Sequence, residues 1–175
     1  MTTTKDTSGA TNSPTEAAQR FPAPSTALAA ERMAEFTSSE LAGQVQFLAA
    51  RLRSIGHSHA NRVLQEEMGL KVRQYSVLAL AAADVNPSQR ELGDFLSLDP
   101  SQIVNLVDFL EKRGWVERQV DPRDRRSRIV IATPQGQDAY RRARALTMAS
   151  DDVVLAALTS DERQELSRLL EKVAF

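Results

Sequence analysis

Two sets of side chains in the middle of the chain have the chemistry needed to bind a nucleic acid. A predicted helix near Pro100 carries polar residues on one side, at Ser101, Gln102 and Asn105. An amide can bind adenine through two hydrogen bonds in the major groove, and a hydroxyl can donate or accept. Arginines follow in a short run, and a guanidinium pairs well with phosphate. These residue types together predict a DNA-binding surface.

The first of two short helices is predicted to begin at Ser88. The spacing of Ser88 and Glu91 is that of a capping box, in which each side chain accepts a hydrogen bond from the other residue's amide. Gly93 lies where a second helix would cross closely, and the turn is predicted at residues 97–98. The apolar face of this helix is predicted to consist of Leu92, Phe95 and Leu96.

The second helix is predicted to begin at Asp99, an N-cap residue, with Pro100 at its first position. Lys112 and Gly114 are typical of a helix end. Apolar residues recur at helical spacing and are predicted to be buried: Ile103, Leu106, Val107 and Leu110. The polar residues then face solvent, so the pair is predicted to be a helix-turn-helix that presents them to the major groove.

A basic hairpin is predicted directly after these helices. Residues 115–120 alternate like a strand, and residues 128–132 are rich in β-branched side chains. From Lys112 to Arg128 there are seven Lys or Arg against three Asp or Glu, a local charge of +4 in a chain of net charge −1. Such a hairpin beside a helix-turn-helix is a wing that can reach the DNA backbone or the minor groove. Arg118, Arg123 and Arg128 are expected to contact phosphates or simply to solvate the hairpin.

From about Glu40 onward the sequence resembles the MarR family of transcriptional regulators. The motifs that carry the resemblance are residues 74–78 (QYSVL), 92–96 (LGDFL), 110–118 (LEKRGWVER), 121–126 (DPRDRR) and 133–136 (TPQG). The Asp-x-Arg wing signature of the family falls at Asp124 and Arg126. By charge and by this resemblance, Arg126 and, less directly, Arg125 are predicted to reach the minor groove. Asp124 is expected to orient Arg126 through a carboxylate–guanidinium pair.

The predicted fold is mainly α: a winged helix-turn-helix with a two-stranded β-wing and a helical dimerisation lobe from the N- and C-terminal helices. Residues 1–36 are predicted to be a disordered or partly helical extension, with disorder to about Pro24 and a short helix over residues 25–36. Residues 37–70 are predicted to be a dimerisation helix region, 71–133 the DNA-binding domain and 134–175 the C-terminal dimerisation helices.

Within that plan, a long helix is predicted to begin at Thr37 or Ser38, and another to cover residues 71–82. After the wing, Thr133 and Pro134 are typical of a helix start, and this helix is predicted to reach about Leu158. A capping box over residues 159–162 begins the last helix, whose apolar stripe is Leu166, Leu169, Leu170 and Val173.

The flanking amphipathic helices exceed what a winged helix needs for its own core and predict a partner surface. The resemblance implies that the partner is a second copy of the chain. A twofold homodimer would place two recognition helices about one DNA turn apart, which predicts a palindromic operator in double-stranded DNA with half-sites ~10 bp apart.

The resemblance also implies a small-molecule inducer, whether phenolic, an antibiotic or a metabolite. In the family such ligands bind between the dimer lobe and the winged helix. His57, Asn61, Gln74 and Tyr75 lie in the corresponding stretch and are the predicted ligand-binding residues. Tyr75 could equally be a core residue whose hydroxyl bonds the backbone.

Other functions are disfavoured by what the sequence lacks. Without cysteine there is no disulfide, thiolate zinc site or thiol switch. His57 and His59 do not share a helix face, so no metal site or cofactor is predicted. No catalytic motif stands out, so an enzyme is not expected. No apolar run nears the ~20 residues of a membrane span, and no secretory signal is recognisable, which favours a cytoplasmic protein without membrane contact.

The sequence therefore predicts a homodimeric repressor that a small ligand releases from palindromic operators. The complete set of predicted DNA contacts is Ser101, Gln102, Asn105, Arg123, Asp124, Arg125, Arg126 and Arg128. A ligand-independent architectural regulator is the first alternative. A winged helix that binds only proteins is the second, and the +4 wing argues against it. Steep salt dependence of duplex binding would separate it from the other two.

Overall fold

A computed structural model of the protein describes residues 28–175. The segment predicted to be disordered, and the first part of the predicted short helix, lie outside the described residues. The chain divides between Arg51 and Leu52 into two compact units. Among the helices of the described part, none is long and apolar enough to cross a membrane.

The elements of the described part follow the predicted order of helices and hairpin. They are α1 (Leu28–Thr37), a 3-10 helix (Glu40–Gly43), α2 (Val45–Met68), α3 (Val72–Ala82), α4 (Gln89–Leu96), α5 (Pro100–Lys112), β1 (Val116–Val120), β2 (Arg128–Ala132), α6 (Pro134–Val154) and α7 (Ser160–Ala174). The described residues form helices and one two-stranded sheet, which confirms the predicted mainly α winged-helix class.

The predicted start of the long helix at Thr37 or Ser38 is wrong, because α2 begins only at Val45. Ser39 and Gln44 flank the 3-10 helix and are both extended, with ψ of 152° and 129°. An extended residue cannot continue the hydrogen-bond ladder of an α-helix, so the helix has to restart after Gln44. Gly56 does not interrupt α2, since one interior glycine costs only about 1 kcal/mol.

The helix starts predicted from capping residues are confirmed. The Ser88 hydroxyl accepts from the Glu91 amide at 3.2 Å, and the Glu91 carboxylate accepts from the Ser88 amide at 2.7 Å. Thr159 and Glu162 form the same reciprocal pair at the start of α7. Local side-chain bonds of this kind satisfy amides that a helix start leaves unpaired, which is why sequence spacing alone locates them.

The predicted end of α6 near Leu158 is wrong, because the helix ends at Val154. A tight turn follows, in which the Leu158 amide donates to the Leu155 carbonyl at 3.0 Å. The guanidinium of Arg163, on α7, donates to the same carbonyl at 3.1 Å and also to Asp152 at 2.7 Å. Arg163 therefore donates hydrogen bonds to backbone carbonyls that have no helical partner beyond the end of α6.

One hydrophobic core lies within residues 52–175 and holds α5 in place. Ile103, Val107 and Leu110 are fully buried, as predicted, whereas Leu106 is only partly buried. The core they join is formed by residues from α2 to α6 and from both strands: Leu64, Leu70, Val77, Leu78, Ala81, Leu92, Val116, Val130, Ala139 and Ala143.

Phe95 was predicted to share one apolar face with Leu92 and Leu96, but its side chain is 58% exposed and does not join the buried side of α4. Leu92 and Gly93 are the buried residues of α4. Successive residues turn by about 100° around a helix, so a buried face that includes Gly93 is centred away from Phe95. The Phe95 ring stacks instead on Phe175, with 5.7 Å between ring centroids.

The two strands of the wing pair antiparallel, from Val116 opposite Ala132 to Val120 opposite Arg128. A further contact was not expected from the sequence. The Val130 amide donates to the Pro87 carbonyl at 2.8 Å, and Ser88 forms an isolated bridge with Ile129. The backbone just before α4 is therefore bonded to β2. Because the end of α5 leads directly into β1, the hairpin is attached to the helix-turn-helix both before α4 and after α5.

The first turn of α6 packs directly against the backbone at the start of the hairpin. Thr133 donates its amide to the Trp115 carbonyl at 3.0 Å. Gly136 is buried there, and a Cβ atom on it would lie 1.7 Å from the Trp115 carbonyl oxygen. No side chain larger than hydrogen fits at that distance without moving the backbone.

Gly136→Ala is therefore expected to lower the free energy of unfolding by about 1–3 kcal/mol, the usual cost of overpacking. Gly56→Ala is the matched control, because nothing lies within 4 Å of its Cβ position and alanine should stabilise the helix by up to about 1 kcal/mol. Urea unfolding of both variants measures the difference. Equal stability of the two would mean that α6 does not pack on Trp115 as described.

Candidate nucleic-acid interface

Helix α5 presents a polar face to solvent. Ser101, Gln102 and Asn105 are all exposed, and they alternate along the helix with the buried Ile103 and Val107. The structure thus brings the three side chains predicted to contact bases together on one accessible surface. Val104 lies beside them and is 39% exposed, which places an apolar group within the same surface.

The turn before α5 sets the approach of the two helices. Ser97 adopts a left-handed conformation with φ of 53°, and the Leu98 amide donates to the Gly93 carbonyl at 3.0 Å. A Cβ atom on Gly93 would lie only 3.1 Å from the Leu98 carbonyl oxygen. Close packing at Gly93, which the sequence predicted, therefore fixes how α5 crosses α4. Asp99 is the N-cap residue, but its side chain makes no capping bond.

The turn at the wing tip is organised by Asp121, which is only 4% exposed. Its carboxylate accepts from the amide of Arg123 at 2.8 Å and from the guanidinium of the same residue at 3.0 Å. These hydrogen bonds hold the pKa of Asp121 below its usual value and raise the pKa of Arg123. Across neutral pH, the pair therefore stays ionised and shapes the turn.

Arg123 also lies 3.6 Å from the Glu91 carboxylate on α4. The Ser88 backbone and side-chain hydrogen bonds hold the pKa of Glu91 below its usual value. Two anionic groups thus accompany the guanidinium of Arg123, and much of its charge is compensated within the protein. Arg123 was predicted as a DNA contact, and the structure places it at the base of the wing turn as a link to α4.

The predicted pairing of Asp124 with the Arg126 guanidinium is wrong. The Asp124 carboxylate accepts instead from the backbone amide of Arg126, at 2.9 Å. An aspartate that binds the amide two residues ahead forms a local turn, a bond that competes well because it needs little chain ordering. Asp124 therefore shapes the backbone under Arg126 and leaves its side chain without a carboxylate partner in the described part of the chain.

Arg118 has a different place from the one expected, because its side chain is only 22% exposed. Its guanidinium donates to Gln89 on α4 at 2.7 Å and to Asp108 on α5 at 2.5 Å. It also forms a short ion pair with Glu111 on α5. One arginine of the wing therefore binds both helices of the helix-turn-helix.

The remaining arginines of the wing are Arg125, Arg126 and Arg128, and all three are exposed. Among residues 28–175, no carboxylate forms an ion pair with any of them. Exposed cations attract a polyanion most strongly when no carboxylate of the protein neutralises their charge. These three side chains give the wing its positive potential.

A cavity of about 390 Å³ lies between α2 and α3, and one residue of α5 also lines it. Three of the predicted ligand-binding residues, His57, Asn61 and Gln74, line it. Tyr75 does not line it, and its ring stacks on Tyr140 at 6.3 Å while packing against the core. The other lining residues are Arg53, Ser54, Ser58, Lys71, Arg73 and Leu106.

Sequence reasoning missed the three cations of this cavity, Arg53, Lys71 and Arg73. No carboxylate of the described residues pairs with them. Arg53 is distant from the other two along the chain, so no local motif could have grouped them. Their convergence makes the cavity suited to a ligand that carries negative charge.

Comparison with known proteins gives the same family as the wing motif. The sequence model of the MarR family matches residues 70–127, which cover the helix-turn-helix and the wing tip. The HTH-type transcriptional repressor Rv2887 of Mycobacterium tuberculosis is 30% identical over 106 residues, which are 61% of this chain and 76% of that protein. The solved structure of Rv2887 with salicylic acid has a TM-score of 0.63 at 27% identity, covering 75% of this chain and 96% of that one.

Two solved structures from Rhodococcus are similar over a greater share of the chain. A MarR-family transcriptional regulator from Rhodococcus sp. RHA1 is 34% identical with a TM-score of 0.73, covering 79% of this chain and 97% of that one. CouR from Rhodococcus jostii RHA1, bound to p-coumaroyl-CoA, is 35% identical with a TM-score of 0.70, covering 79% and 96%. The chain belongs to the MarR family of transcriptional regulators.

Proposed function

We propose that two copies of the chain bind a palindromic operator as a repressor. Each copy would place Ser101, Gln102 and Asn105 in the major groove, with Arg126 of the wing in the adjacent minor groove. The observation that carries the proposal is the exposed polar face of α5 beside wing arginines that no carboxylate of the described residues neutralises. Amide side chains can select bases there, while the arginines supply attraction to any duplex.

The exposed apolar residues of α7 support the homodimer. Helix α7 contains no buried residue, and Leu169 and Leu170 are each almost half exposed. Val173 is 88% exposed on the same stripe. A second copy would remove this apolar surface from water, which stabilises association by roughly 25 cal/mol per Å². Twofold symmetry would then pair two copies of the α5 surface with the two halves of a palindrome.

The cationic cavity supports release by an anionic small molecule. CouR was solved with p-coumaroyl-CoA and Rv2887 with salicylic acid, and both ligands carry negative charge at neutral pH. In this chain, Arg53, Lys71 and Arg73 would bind the anionic group, and His57 and Asn61 would contact the rest of the ligand. Leu106 connects the cavity wall to α5 itself, because it is a residue of that helix.

Release would follow from preferential binding of the ligand to a form that fits the operator poorly. A ligand shifts an equilibrium only by the difference in its affinity for the two forms. Typical coupling factors are about 5–150-fold. An increase in the distance between the two α5 helices would be enough, since a rigid dimer must match the spacing of both half-sites.

Arg126→Ala is expected to lower affinity for every duplex on the order of ten-fold, because a charge-assisted contact is lost. The dependence of affinity on salt should also become shallower. Binding titrations over a range of salt concentrations measure both effects. Arg144→Ala is the control, since it removes an exposed positive charge on α6. If the two variants lost affinity equally, net charge rather than the wing position would account for binding.

Arg73→Ala is expected to raise the concentration of ligand needed for operator release about ten-fold, with salicylate and p-coumaroyl-CoA as probes. Arg62→Ala, an exposed arginine on α2 outside the cavity lining, should leave that concentration unchanged. Operator release is followed by fluorescence anisotropy of a labelled duplex. Failure of both probes to release the unsubstituted protein would contradict the ligand class proposed for this cavity.

A further inference from the structure

The short junction between α2 and α3 is bound from two opposite sides. Leu70 in this junction is fully buried, and Gly69 adopts a left-handed conformation with φ of 60°. Leu70 donates its amide to the Leu64 carbonyl at 3.2 Å, which closes the end of α2. The junction is therefore an ordered part of the core. If it moves, the residues that form hydrogen bonds with it must move as well.

On the cavity side, two amide side chains bind the junction. The Asn61 Oδ1 atom accepts from the Val72 amide at 2.8 Å. The Gln74 Oε1 atom accepts from the Lys71 amide at 2.7 Å. Asn61 and Gln74 both line the cavity, so a ligand that competed for their amide groups would loosen the start of α3.

On the other side, Arg113 binds the junction from the end of α5. Its guanidinium donates to the Met68 carbonyl at 2.7 Å and to the Gly69 carbonyl at 3.2 Å. The same group lies 4.5 Å from the Phe109 ring centroid and 4.9 Å from that of Trp115. A Cβ atom on Gly69 would lie 2.9 Å from Arg113 Nη2, so the guanidinium would have to shift if a larger residue replaced this glycine.

We propose that Arg113 is a positioning residue that transmits displacement of the α2–α3 junction to the C-terminal end of the recognition helix α5. The inference rests on the proposed function, because it concerns how the cavity would control DNA binding. Two hydrogen bonds to carbonyls and two nearby aromatic rings fix the planar guanidinium of Arg113. Movement at the junction therefore has a direct polar path through Arg113 to the C-terminal end of α5.

A double-mutant cycle tests this relay without requiring that the natural ligand be known. Asn61→Ala removes the bond to the Val72 amide and so disturbs the junction from the cavity side. Arg113→Met removes both carbonyl bonds and keeps an unbranched side chain beside the Phe109 and Trp115 rings. Operator affinity is one readout, and emission of Trp115, the single tryptophan of the chain, is the other.

With Arg113 present, Asn61→Ala should lower operator affinity about five-fold or more and shift Trp115 emission. In the Arg113→Met variant, adding Asn61→Ala should change operator affinity less than about two-fold and should leave Trp115 emission unchanged. Equal effects of Asn61→Ala in both backgrounds would overturn the relay. So would the absence of any effect when Arg113 is present.

Arg142→Met is the matched control, because Arg142 on α6 donates to the Glu67 carbonyl at 3.1 Å, one residue before Met68. It removes an arginine–carbonyl bond from the same helix end without touching α5, so the effect of Asn61→Ala should persist. If Arg113→Met loses the cooperative urea transition, Arg113→Lys replaces it, since lysine cannot bind both carbonyls in one plane. Absence of duplex binding by the unsubstituted protein would instead contradict the proposed function, and Trp115 emission would still decide the relay.

Discussion

The position of α5 relative to the wing depends on the guanidinium of Arg118. This group donates to Gln89 on α4 and to Asp108 on α5, and it pairs with Glu111. The Arg118 side chain is 22% exposed, whereas the Asp108 and Glu111 side chains are 45% and 41% exposed. Because one guanidinium binds three partners, loss of Arg118 removes all three contacts at once. The proposed recognition of DNA by two elements at once requires that they keep a constant distance, and the bonds of Arg118 supply such a constraint.

The arginines of this region divide into two groups with different physical roles. Arg113, Arg118 and Arg123 bind carbonyls or carboxylates within the protein, and they hold the C-terminal half of α5 and the base of the wing turn. Arg125, Arg126 and Arg128 are exposed at the wing without carboxylate partners among the described residues. Counting charge from the sequence cannot separate the groups, yet only the second group is available to phosphate. The effective charge of the wing therefore resides mainly in those three side chains.

Local features of the fold were predictable from the sequence, because local residues determine them. Capping at Ser88 and Thr159, the close turn at Gly93 and the buried face of α5 depend on neighbours within a few residues. Side-chain partners distant in sequence were not predictable. The bonds of Arg118 to Gln89, of Val130 to Pro87 and the grouping of Arg53 with Lys71 and Arg73 arise only once the helices have packed.

Two of the errors arise from the local geometry of neighbouring residues. The Asp124 carboxylate accepts from the backbone amide of Arg126 because binding this donor orders less of the chain than fixing the flexible guanidinium of the same residue. Phe95 is exposed because the tight crossing at Gly93 rotates the buried face of α4 away from it. The residue types themselves were interpreted correctly: Asp124 forms a hydrogen bond with Arg126, and Phe95 makes an apolar contact. The local backbone geometry determined which atoms they contact.

We propose that two copies of the chain read a palindromic DNA site through α5 and the wing. Selection of bound duplexes from a random pool, at near-physiological salt, is the first test of this proposal. A palindrome whose half-sites are centred about 10 bp apart should be enriched. Tight binding without any enriched sequence would contradict sequence-specific reading by Ser101, Gln102 and Asn105. Absence of binding to every duplex would contradict the assignment of the α5 and wing surface to DNA.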